Sequence, residues 1–445
     1  MGGQVFAGGP NPLYTPRMPP VIYEFVKKAC HEKLQQIFEQ VATPIEGPEK
    51  ADFGDIDFLV HGRRRQNDNS EEPQSTTSTS TTTTPQEWHD VVQSALGAQR
   101  RFSQQPHAGS FAIPWPTGIC TGLYEAQDVW SPKDKPRYIQ VDVHVCDTPQ
   151  TFRWSVFKQD HGDLWNLLGS TIRPYGLTVD HEALHVRIAE IERLDKKKAK
   201  VRLSSDPDAV LQFLGLDRQR WRQGFASMQD TYEYAATCRF FWVKPESEGG
   251  DDMKDKDGYD DEDRIGGEFT KKKLKSNDRQ RMDKRPMFSR WINHFIPSCC
   301  AQLRFTERRI DREGTLEEAL TQFGVRETYD ARILEFRKKR QAETMWKNVI
   351  KATIPTDGID PMFRGCAANG LKKIILHGDE SYGVVPSEPL KDETTGLFDE
   401  EAVRRFTKAH WKEVGDIGFQ RNHEHMLAKK AKLKKEEEAK QAQED

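Results

Sequence analysis

The sequence predicts an α+β fold: a mixed sheet flanked by helices, followed by a mostly helical C-terminal domain. Three observations predict it. Of two short runs, Asp55-Ile56-Asp57-Phe58-Leu59-Val60 sets two carboxylates at i and i+2 among apolar residues, and Tyr138-Ile139-Gln140-Val141-Asp142-Val143-His144-Val145 places polar residues at every second position, the period of a strand with one buried face. Residues 20–41 instead carry apolar side chains at helical spacing. From residue 286 onward the apolar residues again recur at helical spacing.

The elements follow in order. Residues 1–19, rich in Gly and Pro, are expected as an irregular arm. Ile22, Phe25, Val26, Ala29, Cys30, Ile37, Phe38 and Val41 predict one amphipathic helix over 20–41, packed beside the sheet. The first strand ends near Val60. An insertion over about 63–85 follows, holding Arg63-Arg64-Arg65 and a run of only Ser and Thr from Ser75 to Thr84. Such a composition cannot bury a core, so the segment is expected to be disordered. A helix near Gln86–Gln99 and a short strand at Gly109-Ser110-Phe111-Ala112-Ile113-Pro114 come next.

After Val145, Asp147-Thr148-Pro149 reads as a helix start with proline just inside. The apolar stretch from Phe152 to Leu168 should be helical and broken near Gly162. Residues 176–179 and 184–188 read as a hairpin, 200–203 as a third strand, and 207–216, 219–226 and 230–242 as helices. These elements make one domain over 20–245. Residues 246–285 form a charged linker: 251–263 hold eight acids against two lysines, and 264–290 hold ten Lys/Arg against three acids. A dipolar solvated linker, a nuclear localisation signal and a strip touching phosphate backbones all fit this pattern.

In 286–445, Thr315-Leu316-Glu317-Glu318 reads as a capping box, with Leu316, Ala319, Leu320 and Phe323 as its buried stripe and Gly324 as its end. Arg285-Pro286-Met287-Phe288-Ser289-Arg290-Trp291 interleaves basic and aromatic residues. That order serves either a single-strand RNA contact or a helix anchored in a core.

Composition narrows the class. No apolar run has the length of a membrane span, and Met1-Gly2-Gly3-Gln4 has no basic region leading into an apolar one, so no membrane partner is expected. The seven cysteines are scattered with no Cys-x-x-Cys, which suggests neither a disulfide framework nor zinc. Nucleus or cytoplasm is the expected location. Net charge is −3, with the charge segregated along the chain as above.

The chemistry lies in the carboxylates. Asp55 and Asp57 share one face of a strand, opposite Ile56, Phe58 and Val60. Two adjacent anions raise each other's pKa unless a cation lies between them, and all-oxygen donors favour Mg²⁺ or Mn²⁺ over zinc. A solvated acidic face on an edge strand is the alternative. Asp142 adds a third carboxylate on the polar face of the second strand, where it can complete the set needed for two-metal phosphoryl or nucleotidyl transfer.

The chain here resembles the polymerase-beta-type nucleotidyltransferases. Their signature is a Gly-Ser pair on a turn, then hydrophobic-Asp-hydrophobic-Asp/Glu on a strand, then a third acid on a neighbouring strand. The matching residues are Asp55 and Asp57 in Gly54-Asp55-Ile56-Asp57-Phe58-Leu59-Val60, and Asp142 in Val141-Asp142-Val143. The Gly-Ser position falls on Thr43-Pro44, which lacks the glycine. The resemblance implies a nucleotidyltransferase-like mixed sheet and Mg²⁺-dependent (or Mn²⁺-dependent) transfer of a nucleoside monophosphate from an NTP to an acceptor hydroxyl. The acceptor would be RNA, protein or a small molecule. It implies Asp55, Asp57 and Asp142 as catalytic residues and metal ligands, with Lys50 and Thr43 as nucleotide contacts. The competing expectation is a catalytically inactive interaction protein that keeps the fold.

Overall fold

The computed structural model describes residues 3–64, 85–117, 135–243 and 276–444. The Ser/Thr run and the charged segment 246–275, including Lys271-Lys272-Lys273-Leu274-Lys275, lie outside them. Two compact units emerge: Met1–Ala189 with Lys196–Val325, and Glu190–Asp195 with Arg326–Asp445. No helix of the described residues is long and apolar enough to cross a membrane.

The first unit is built on a five-stranded mixed sheet of order β1-β2-β5-β4-β3. Its strands are β1 (Phe38–Ala42), β2 (Asp55–Arg63), β3 (Arg100–Gln105), β4 (Ala108–Pro114) and β5 (Tyr138–Val145). β2 and β5 run parallel, while the other neighbours are antiparallel. One face is apolar. Ile56, Phe58 and Val60 of β2, Ile139, Val141 and Val143 of β5, and Phe111 and Ile113 of β4 cluster there with Ile22, Val26, Cys30 and Leu34 of α1 (Pro20–Gln35). Trp88, Val92 and Leu96 of α2 (Pro85–Leu96) complete the cluster. Phe58 is 1% exposed, so Phe58→Ala should cost about 3–5 kcal/mol.

Several expectations need correction. The helix expected over 20–41 ends at Gln35, and Phe38–Ala42 is instead strand β1, antiparallel to β2. Helical and strand spacing both place Phe38 and Val41 against apolar neighbours, and pairing with β2 decides between them. Phe25, expected in the buried stripe, is 54% exposed. The helix expected to open at a Thr315 capping box begins at Arg312, because Asp311 caps it by accepting from the Gly314 N–H at 2.7 Å.

Beyond β5, the Thr148 side chain accepts from the Thr151 N–H and opens α3 (Pro149–Gln159). The helical stretch then breaks at His161 (φ +61°) and Gly162 (φ +59°) before α4 (Leu164–Ile172). A second sheet of order β6-β7-β8, Leu177–Val179, Leu184–Arg187 and Lys200–Ser204, is antiparallel throughout. Residues 286–325, assigned by sequence to the helical segment, belong to this first unit. Phe288 and Trp291 are buried, and Trp291 packs against Tyr232 and Phe241 at ring-centroid separations of 5.8 and 5.1 Å. The interleaved aromatics therefore anchor a core. The second unit is helical, its core formed by residues such as Met345, Ile350, Leu371, Ile374, Val403 and Val414.

Candidate functional site

The opposite face of the five-stranded sheet carries the polar residues, and strand register arranges them in rows. Asp57 of β2 pairs with Asp142 of β5, Asp142 with Ser110 of β4, and Ser110 with Phe102 of β3. The row beside it pairs Asp55 with Gln140, Gln140 with Ala112, and Ala112 with Arg100. Residues paired across neighbouring strands point to the same face. Asp55, Asp57 and Asp142 therefore share one face, on two adjacent parallel strands.

The rows differ in cover. The N-terminal arm crosses the Asp55 row: the Gly3 N–H donates to Asp55 Oδ2 at 3.2 Å and the Val5 N–H to Gln140 Oε1 at 3.1 Å. The Thr15 hydroxyl fixes the arm on the Gly3 carbonyl at 2.6 Å, and Arg100 donates to the Asn11 carbonyl. Phe6 of the arm is buried. Gly3 has φ +86°, and a Cβ there would meet the Gly54 carbonyl oxygen at 2.2 Å, so only glycine permits this approach. The Asp57 row instead opens into a cleft of about 370 Å³, lined by Asp57, Asp142, Ser110, Phe102, Ser103, Gln105 and His144 among others.

Electrostatics separate these carboxylates from ordinary surface acids. Asp57 is pushed up to about 7 by desolvation first, then by repulsion from Asp55, Asp142 and Glu46. It still reaches solvent, since it lies on the floor of a concave cleft: protein surrounds it while water enters from one side. Asp55 is raised by desolvation, against the Gly3 N–H and Lys50. Asp142 is raised by desolvation as well, against hydrogen bonds from Ser110 and Gln140; the Gln140 amide donates to both its oxygens at 3.1 and 2.9 Å.

The donor set suits a hard divalent cation: all oxygen, all anionic, and held together at a cost that a cation would remove. The three carboxylates do not draw within 4.8 Å of one another as a set; among the described residues Asp180, Glu182 and His185 do. In that second group Asp180 is already engaged by Lys200 at 2.7 Å and by the Glu182 and Ala183 N–H groups.

Lys50 and Thr43 lie on the loop between β1 and β2, outside the cleft lining. Lys50 pairs with Glu46, whose other oxygen accepts from the Tyr23 hydroxyl at 2.7 Å, and its charge acts on both Asp55 and Asp57. Thr43 is half-buried. A buried elbow holds the same loop: Asp160 Oδ1 accepts from the Ile45 N–H at 2.8 Å, and the His161 N–H donates to the Ile45 carbonyl at 2.6 Å.

Sequence reasoning missed Gln140 and Ser110. Gln140 reads as one more polar position, yet it is 1% exposed and orients Asp142. Ser110 sits in a Gly-Ser pair that lies after the Asp-x-Asp strand. Only register places it beside Asp142.

No family model matches the chain, and no curated protein matches it. Among solved structures, two ternary complexes of Leishmania infantum polymerase beta are similar to it. The gap complex is 13% identical over 45% of this chain and 68% of its own, and the P/T complex 14% identical over 45% and 74%; the TM-score is 0.28 for both.

Proposed function

We propose that this chain is a metal-dependent nucleotidyltransferase that moves a nucleoside monophosphate from an NTP to an acceptor hydroxyl. The observation that supports this most is the facing pair Asp57 and Asp142 on parallel neighbours, with Asp55 on the same face and a cleft above. Asp55 and Asp57 would hold Mg²⁺ or Mn²⁺, and Asp142 would share the ion nearer the acceptor. The bound ions supply charge neutralisation at the phosphates. The acceptor oxygen bonds to the α-phosphorus, the bond to the bridging oxygen breaks, and pyrophosphate leaves. Asp142 takes the hydroxyl proton. Lys50 and Thr43 would meet the triphosphate from the β1–β2 loop.

Two observations favour a second reading, a non-catalytic protein with the same fold. The Gly3 N–H already occupies Asp55, and Thr43-Pro44 stands where donors for phosphate are needed. Incubation with each α-labelled NTP and Mg²⁺ or Mn²⁺ separates the two. Transfer of label to RNA, to protein or to a small acceptor, abolished in Asp57→Asn, is expected. Absence of transfer from all four NTPs with either metal would favour the second reading.

A further inference from the structure

The row that opens into the cleft ends on an unexpected residue. Phe102 is 44% exposed, on edge strand β3, in line with Ser110, Asp142 and Asp57. An aromatic ring left in water at the rim of a carboxylate cleft forgoes the burial that core phenylalanines gain. The β3–β4 register is irregular directly after it, between Phe102 and Gln105, and such bulges re-aim side chains beside functional sites. Its Cα lies two strand spacings from Asp142, roughly 10 Å. A ring stacked on Phe102 can thus present a hydroxyl from its own sugar near Asp142.

We propose that Phe102 is the stacking platform for the acceptor, and that the acceptor is the base-bearing end of a single-stranded nucleic acid. This rests on the nucleotidyltransferase reading of the cleft. Stacking tolerates any base, because every base has a π-face, so the platform selects the class of acceptor and not its sequence. Phe102 holds the acceptor and takes no part in proton transfer. A protein acceptor would have to pair along the β3 edge and would gain little from the ring.

Fluorescence anisotropy of the full chain with Mn²⁺ tests this. The probes are short labelled oligoribonucleotides and an abasic sugar–phosphate oligomer of equal length. The base-bearing oligomers should bind about tenfold more tightly than the abasic one, with Phe102→Ala removing that preference and Phe102→Trp keeping it. Mn²⁺ binding measured by electron paramagnetic resonance should be unchanged in Phe102→Ala. Equal binding of base-bearing and abasic oligomers, or an unaffected Phe102→Ala, overturns the proposal. So does displacement of the oligomer by a serine-bearing peptide, which would make the acceptor a protein. Failure of the wild type to bind Mn²⁺ sinks the nucleotidyltransferase reading alone. Base-dependent binding through Phe102 would then still report a nucleic-acid site.

Discussion

Two adjacent rows of one sheet face carry similar residues and meet different fates. Asp55-Gln140-Ala112-Arg100 is roofed by the arm, with Gln140 at 1% and Ala112 at 0% exposure, while Asp57-Asp142-Ser110-Phe102 faces a cleft. Both rows follow from the same period-two alternation, so patterning alone cannot tell them apart. What separates them is a segment of Gly and Pro residues far away in the sequence, held by backbone N–H groups. The closed row holds the open one in shape: Gln140 spends its amide on Asp142 and its carbonyl on the arm.

The largest effect should come from the open row itself. Asp57→Asn should cost more than about 100-fold in Mn²⁺ affinity, beyond the 10–100-fold typical of outer-sphere partners, with the circular-dichroism spectrum unchanged. Retention of affinity would show that metal, if bound at all, binds elsewhere.

Opening the closed row should have a smaller effect. Gly3→Ala meets both a left-handed φ and the Gly54 carbonyl, so the arm should lift rather than adapt. A stability loss of about 1–3 kcal/mol is expected, with faster proteolysis of residues 3–18. Mn²⁺ affinity should rise a few-fold as Asp55 is freed. An arm that stays protected would contradict the assignment of Gly3.

Protonation sharpens the comparison further. Asp57, raised to about 7, keeps a proton in the folded metal-free state where the unfolded chain has lost it. Folding therefore binds protons, and the stability contributed by Asp57 falls as pH rises from about 4 through 7. His161, lowered to about 4 by burial, contributes with the opposite sign as pH falls below its unfolded value near 6.5. The difference between wild type and Asp57→Asn isolates Asp57. At pH 8 the variant should be more stable by about 1 kcal/mol, a value discounted because solvent reaches the carboxylate, or about 2–4 °C in Tm. Parallel stability curves would refute the raised Asp57 pKa.

Lys50→Met should act least. Its pair with Glu46 is part-exposed, so stability should shift by under about 1 kcal/mol. Affinity for triphosphate should fall a few-fold, with metal binding in the absence of nucleotide retained. Equal triphosphate affinity would remove Lys50 from the site.

Much of this was legible in the sequence. Alternation in 138–145 set the strand and the face of Asp142, and Ile56, Phe58 and Val60 set the core side of β2. The Asp57–Asp142 register was not legible, because β2 and β5 are far apart in the chain and their parallel pairing is a tertiary fact. β1 was hidden because Phe38 and Val41 continue the helical spacing of α1. The arm was hidden because it binds through main-chain N–H groups, which every residue but proline owns. Ser110 and Phe102 come from register through two further strands, and nothing local links either to Asp142.

The central claim is that these carboxylates bind a divalent ion together with an NTP. Thermal-shift titration of the full chain with ATP, CTP, GTP and UTP, each with and without Mn²⁺, addresses it directly. At least one NTP with Mn²⁺ should stabilise the wild type, by about 2.7 kcal/mol when ligand reaches 100 times Kd, and none should stabilise Asp57→Asn. A flat response of the folded wild type to every combination would contradict the claim and leave a binding-inactive relative of the fold.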